Sequence, residues 1–127
     1  LSGAVEVELE MTMDFIGSDL VMGFNHVPYH EAPPIEATAG QTQIWTLINP
    51  TEFSHPFHLH GYFFQVLDEG DVPREPMEWK DTVDVPLQET VRIVTRFGDR
   101  LGEWMFHCHV LDHAEAGMMG RVRVDGP

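Results

Sequence analysis

An all-β fold, an antiparallel sandwich or barrel, is predicted by three features of this 127-residue sequence. Its clearest hydrophobic pattern has period two. Its apolar runs are short and separated by turn formers, and no long stretch carries apolar residues at helical spacing.

The first element is Val5–Met13, where Val5, Val7, Leu9, Met11 and Met13 alternate with Glu6, Glu8, Glu10 and Thr12. One face of such a strand meets a core and the other meets water. Leu20–Phe24 is a second short apolar run. Residues 26–35 contain Pro28, Pro33 and Pro34 and read as loop or edge. After a turn at Ala39-Gly40-Gln41, Gln43–Asn49 (QIWTLIN) reads as a buried strand and His58–Leu67 (HLHGYFFQVL) as another. Asp68–Pro76 is rich in turn formers and is expected to be loop. Thr82–Val85, Thr90–Phe97, Gly102–His109 and Gly120–Val124 complete the strands, and Val110–Glu115 is expected to make one helical turn. No repeat, low-complexity tract or linker divides the chain, so residues 1–127 are expected to form a single domain.

The composition narrows the function. Seven Lys and Arg stand against 21 Asp and Glu, a formal charge of −14. A surface this acidic repels phosphate backbones and anionic lipid, which argues against nucleic acid and a basic membrane-binding patch. With no apolar run of spanning length, no membrane insertion is expected. The start, Leu1–Glu6, has neither the basic nor the apolar segment of a signal peptide. One cysteine, Cys108, permits no intrachain disulfide.

Six of the eight histidines fall in two tight groups, His55-Pro56-Phe57-His58-Leu59-His60-Gly61 and His107-Cys108-His109 with His113. Each alone reads as a surface or hydrogen-bonded histidine. Together, and with the only thiol between two of them, they point to a soft transition metal. Residues two apart on a strand share a face and neighbours oppose each other. His58 and His60 therefore project together, as do His107 and His109, while Cys108 points the other way. His55, at an odd offset from His58, can join Cys108.

Two donor sets follow, one of Cys108, His55, His113 and a methionine, the other of His58, His60, His107 and His109. Two imidazoles, a thiolate and a weak axial thioether make a blue-copper electron-transfer site; catalytic zinc is the rival. Met118 is the better axial candidate, with Met119 the alternative and core packing its expected role. Cys108 and its two neighbours join the sets covalently, giving electrons a through-bond route from one to the other.

The strings HPFHLHG and HCHVLDHAEAGMM, together with WKDTV at Trp79–Val83, resemble the copper signatures of the multicopper oxidases: laccases, bilirubin oxidases and cuprous oxidases. The resemblance runs over essentially the whole chain and matches the last cupredoxin-type domain of such an enzyme. It implies a cupredoxin-like Greek-key β-sandwich. It also implies that His55, Cys108, His113 and axial Met118 bind type 1 copper, that His58 binds type 2 copper, and that His60, His107 and His109 bind the type 3 pair. In that family a small reducing substrate gives electrons to type 1 copper. They pass through Cys108 and its flanking histidines, the catalytic residues, to a trinuclear site where O2 is reduced to water. An axial methionine implies a low-to-intermediate potential within the family, and a periplasmic or secreted location is implied too.

The chain departs from the family in one large respect. The trinuclear site needs eight histidines, four of them from two His-x-His motifs in the first domain, and this sequence has no further His-x-His. His26 and His30, in the Pro-rich stretch, read as solvated loop residues. The chain is therefore expected to carry a complete type 1 site and half of a trinuclear site. An N-terminal cupredoxin domain of a parent enzyme, or other copies of the chain, would supply the rest. A stand-alone one-copper carrier is the alternative, although it would have no use for the second set. Ala114 stands where some relatives carry a proton-relaying acid, flanked by Asp112 and Glu115, which read as solvated carboxylates. Trp79 is expected to be structural, and Asp81 to orient a ligand or pack the core.

Overall fold

The computed structural model describes residues 3–16, 19–27, 32–70, 72–73, 78–109 and 118–126. The strands are β1 (Val5–Ile16), β2 (Asp19–Phe24), β3 (Ile35–Thr38), β4 (Thr42–Asn49), β5 (His55–Leu59), β6 (Phe64–Glu69), β7 (Val72–Pro73), β8 (Trp79–Lys80), β9 (Thr82–Val85), β10 (Glu89–Arg96), β11 (Gly102–Cys108) and β12 (Met119–Asp125). They form two sheets, one in the order β2-β1-β4-β10-β6-β7 with β8 also on β6, the other β3-β12-β11-β5-β9. Among the described residues no helix is long and apolar enough to cross a membrane. The helical turn expected at 110–115 lies outside the described residues.

The all-β sandwich is as expected, and its strands follow the alternation in the sequence. Leu9 and Met11 of β1 are buried, with Val7 and Met13 packed against the same core. Trp45, Phe57, Phe64, Phe97 and Phe106 fill the space between the sheets, Trp45 meeting Phe106 edge-on at 5.2 Å between ring centres. The buried Trp45 indole N–H donates to Gln43 Oε1 at 2.9 Å, and Gln43 Nε2 donates in turn to the Glu36 carbonyl. Burial of the ring thus leaves no donor unsatisfied.

Three features differ from expectation. Two of the pairings, β1 with β4 and β12 with β3, are parallel. Each joins strands whose intervening chain visits the opposite sheet, the crossover that parallel neighbours require. The loop expected at 68–76 begins later, because β6 runs to Glu69 and pairs with Val72–Pro73. Pro73 is tolerated there because β7 is an edge strand.

The third difference bears on function. The run 58–67 is not one strand: β5 ends at Leu59, and β6 begins at Phe64 in the other sheet. Gly61 makes the corner, with φ of 82° and the Trp104 ring lying where a Cβ would stand. Gly61→Ala is expected to cost about 1–3 kcal/mol through left-handed strain alone, and more from the collision with Trp104. Urea unfolding of the variant against wild type measures it.

Candidate metal centre

β5 and β11 run antiparallel, with Phe57 opposite Cys108, His58 opposite His107 and Leu59 opposite Phe106. Directly opposed residues share a face, so this pairing sorts the histidines. His55, Phe57, Leu59, Phe106 and Cys108 point into the core and are all buried. His58 and His107 point out of it.

On the inner side, the Cys108 Sγ lies 3.5 Å from His55 Nδ1, both residues fully buried. Met118 is fully buried in the same cluster, and its carbonyl accepts the Cys108 backbone N–H at 3.1 Å. Met119 lies opposite His107 and is half-buried, outside the core. Of the two methionines, Met118 is the one in the hydrophobic cluster that includes Cys108. The core role expected of Met119 is not what it has. His113, Asp112, Ala114, Glu115 and His30 lie outside the described residues.

On the outer side, His58, His60 and His107 bring ring nitrogens within 4.8 Å of one another. His60 Nε2 and His107 Nε2 are 3.0 Å apart, and the His109 ring lies 5.4 Å from that of His58 between centres. All four rings of the second set therefore cluster together, and His58 and His60 line an open cleft of about 220 Å³ with Asp81 and Arg100.

The proton on two of these rings is fixed by partners that only accept. His58 Nδ1 faces the Asp81 carbonyl at 2.9 Å, and His107 Nδ1 faces the Cys108 carbonyl at 2.9 Å. Both Nδ1 atoms carry the hydrogen, leaving Nε2 of each ring with its lone pair toward the cluster. Thr82 Oγ1 supports His58 Nδ1 at 2.9 Å while itself donating to Asp81 Oδ1. Burial holds the His60 pKa below its ordinary value, and the neighbouring His58 and His107 add to this while Asp81 opposes it. Neutral imidazoles are the form that binds metals.

Asp81 thus does orient a ring, through its backbone carbonyl. Trp79 does not pack the core: it is 65% exposed on β8. His26 occupies an exposed turn, its Nε2 3.5 Å from Glu10 Oε1, as a solvated loop residue would. Sequence reasoning missed Thr82, at the start of β9, which supports the His58 ring, and Thr51, which meets the His55 ring and is itself bonded to Asn49. The only signal was that Thr82 lies in WKDTV.

The multicopper oxidase family pattern matches residues 4–127. The chain belongs to the multicopper oxidase family. It is 34% identical to a laccase of Bacillus subtilis (strain 168) over 144 aligned residues, covering 95% of this chain and 27% of that protein. It is 40% identical to copper resistance protein A of Escherichia coli over 102 residues, 80% of this chain and 16% of that protein. Among solved structures, the McoA multicopper oxidase of Aquifex aeolicus superposes with a TM-score of 0.84 at 31% identity, covering 98% of this chain and 30% of that one. The multicopper oxidase chain described here thus has the cupredoxin-like fold and spans under a third of the length of these relatives. The family's metal is copper, which takes precedence over the zinc alternative, and the donors present suit it. A buried thiol against an imidazole nitrogen, with a buried thioether in the same cluster, is a soft set.

Proposed function

We propose that residues 1–127 form one domain, equivalent to the last domain of a multicopper oxidase, that receives electrons from a small reducing substrate and delivers them to an oxygen-reducing site. In this reading His55, Cys108, His113 and Met118 hold type 1 copper. His58 binds the type 2 ion, and His60, His107 and His109 bind the type 3 pair. Copper bound in these places supplies one-electron acceptance and the reduction of O2 to water.

The residues themselves do three things. The core around Cys108 keeps water from the inner donors, which strengthens every electrostatic interaction there. The acceptor-only partners of His58 and His107 aim lone pairs outward. The peptide bonds on either side of Cys108 join the inner face to the outer one with no gap to cross. The observation that carries the reading is this opposition, a buried thiol flanked by two histidines on the far side of one strand.

The outer cluster faces solvent with half the family's histidines, so its remaining ligands come from another domain of the parent, and the protein acts in the periplasm or outside the cell. A double variant, His58→Ala with His60→Ala, tests the division of labour in the copper-loaded parent. The intense blue absorption is expected to remain while O2 consumption is lost. Loss of the colour as well, or continued O2 consumption, would show that the two sets are not separate sites.

A further inference from the structure

The buried His55 ring has a partner on each nitrogen, Cys108 Sγ at Nδ1 and Thr51 Oγ1 at Nε2, 2.9 Å away. Which nitrogen carries the hydrogen is decided by following the network outward. Asn49, 1% exposed, has its Nδ2 against the carbonyls of Phe53, Val85 and Pro86 at 2.8, 2.9 and 3.2 Å. Reversing the amide would set an oxygen against three oxygens, so Asn49 Oδ1 is an acceptor. That oxygen takes the Thr51 hydroxyl hydrogen at 2.6 Å, and the other acceptor within reach of the hydroxyl, the Phe53 carbonyl at 3.1 Å, is also unable to donate. With its one hydrogen committed, Thr51 Oγ1 accepts from His55 Nε2–H. The Nδ1 facing the thiol is left with its lone pair.

We propose that Thr51, locked by Asn49, is the positioning residue of the inner site: it holds His55 in the tautomer and orientation that present an unprotonated Nδ1 beside Cys108 before any metal arrives. Thr51 acts on the ring at Nε2, the nitrogen other than the one that faces the thiol. Asn49 ends β4 and Thr51 lies in the turn that leads to β5, and the Asn49 amide ties the start of that turn to the end of β9, so the ring is steered by an anchor outside its own strand. Partners of this kind fix the ligating nitrogen of metal-binding histidines, and losing one typically weakens metal binding by about 10–100-fold. The metal-dependent half of this inference rests on the type 1 reading above; the tautomer does not.

The test uses the parent protein in metal-free and copper-loaded forms, with Thr51→Val and Thr51→Ser. Long-range proton–nitrogen correlation on the metal-free, ¹⁵N-histidine-labelled protein is expected to find His55 protonated at Nε2; protonation at Nδ1 overturns the proposal. In chelator competition, copper affinity at the blue site is expected to fall about 10–100-fold in Thr51→Val and to stay within a few-fold of wild type in Thr51→Ser. Wild-type affinity in Thr51→Val, or equal losses in both variants, overturns it. If Thr51→Val fails to fold, the wild-type tautomer and the serine variant still decide. A parent that takes up no blue copper would defeat the type 1 reading while leaving the nitrogen measurement decisive for Thr51.

Discussion

Cys108→Ser in the parent protein is expected to abolish the blue absorption completely and to lower O2-dependent turnover by more than ~100-fold, beyond the range produced by losing an outer partner of a ligand. The cause is chemical rather than architectural. Serine matches cysteine closely in shape, so the fully buried site and its backbone bond to Met118 are retained. What is lost is the thiolate, the donor that gives such sites both their colour and their preference for copper. The Cys108 carbonyl that accepts from His107 Nδ1 is unchanged in the variant, so the outer histidines keep their aim. Absorption, metal analysis and circular dichroism on one preparation check this. A serine variant that is still blue would remove Cys108 from the site.

The largest stability effect is expected from Phe57→Ala. Phe57 is fully buried and meets Phe24, Trp45, Phe64 and Phe106 with ring centres 5.6 to 6.4 Å apart. Removing it should cost about 3–5 kcal/mol in transfer energy and cavity formation. Domains of this kind are held by only about 5–15 kcal/mol. Phe57 also lies between His55 and His58 in sequence and opposite Cys108 in the sheet, so the cavity opens at the one place where both donor sets are supported. Equilibrium urea unfolding should give the loss directly, with Phe57→Leu losing less because it keeps more of the volume. A cost under 1 kcal/mol would mean that the aromatic cluster can collapse around the gap.

Much of this was readable from the chain alone because strands have parity. The side on which Cys108, His107 and His58 fall needs only the count of residues between them, and the alternation of β1 needs no more. What parity cannot supply is where a strand ends. Gly61 sits inside the run 58–67, which reads as one strand, and its meaning depends on the Trp104 ring 43 residues later, close to the turn in space and remote in sequence. The supporting hydrogen bonds were hidden for the same reason: His58 meets Asp81 and Thr82 from 23 and 24 residues away, and Asn49 reaches Val85 across 36. Parallel pairing of β1 with β4 likewise depends on the path between them, and Trp79 gave no sign in its own string that it would lie on an edge.

The pairing of β5 with β11 rests on three residue pairs, and every one of them places a core residue or a histidine. Side chains on a strand change sides at each step, so sliding β11 by a single residue would do more than displace the site. It would turn the thiol into the cleft and drive imidazoles into the aromatic core. A one-residue insertion or deletion within β11 is thus an inversion, and the spacing His-Cys-His leaves no neighbouring alignment in which either donor set survives. Substitutions can tune the two sites separately, but length changes in that strand cannot.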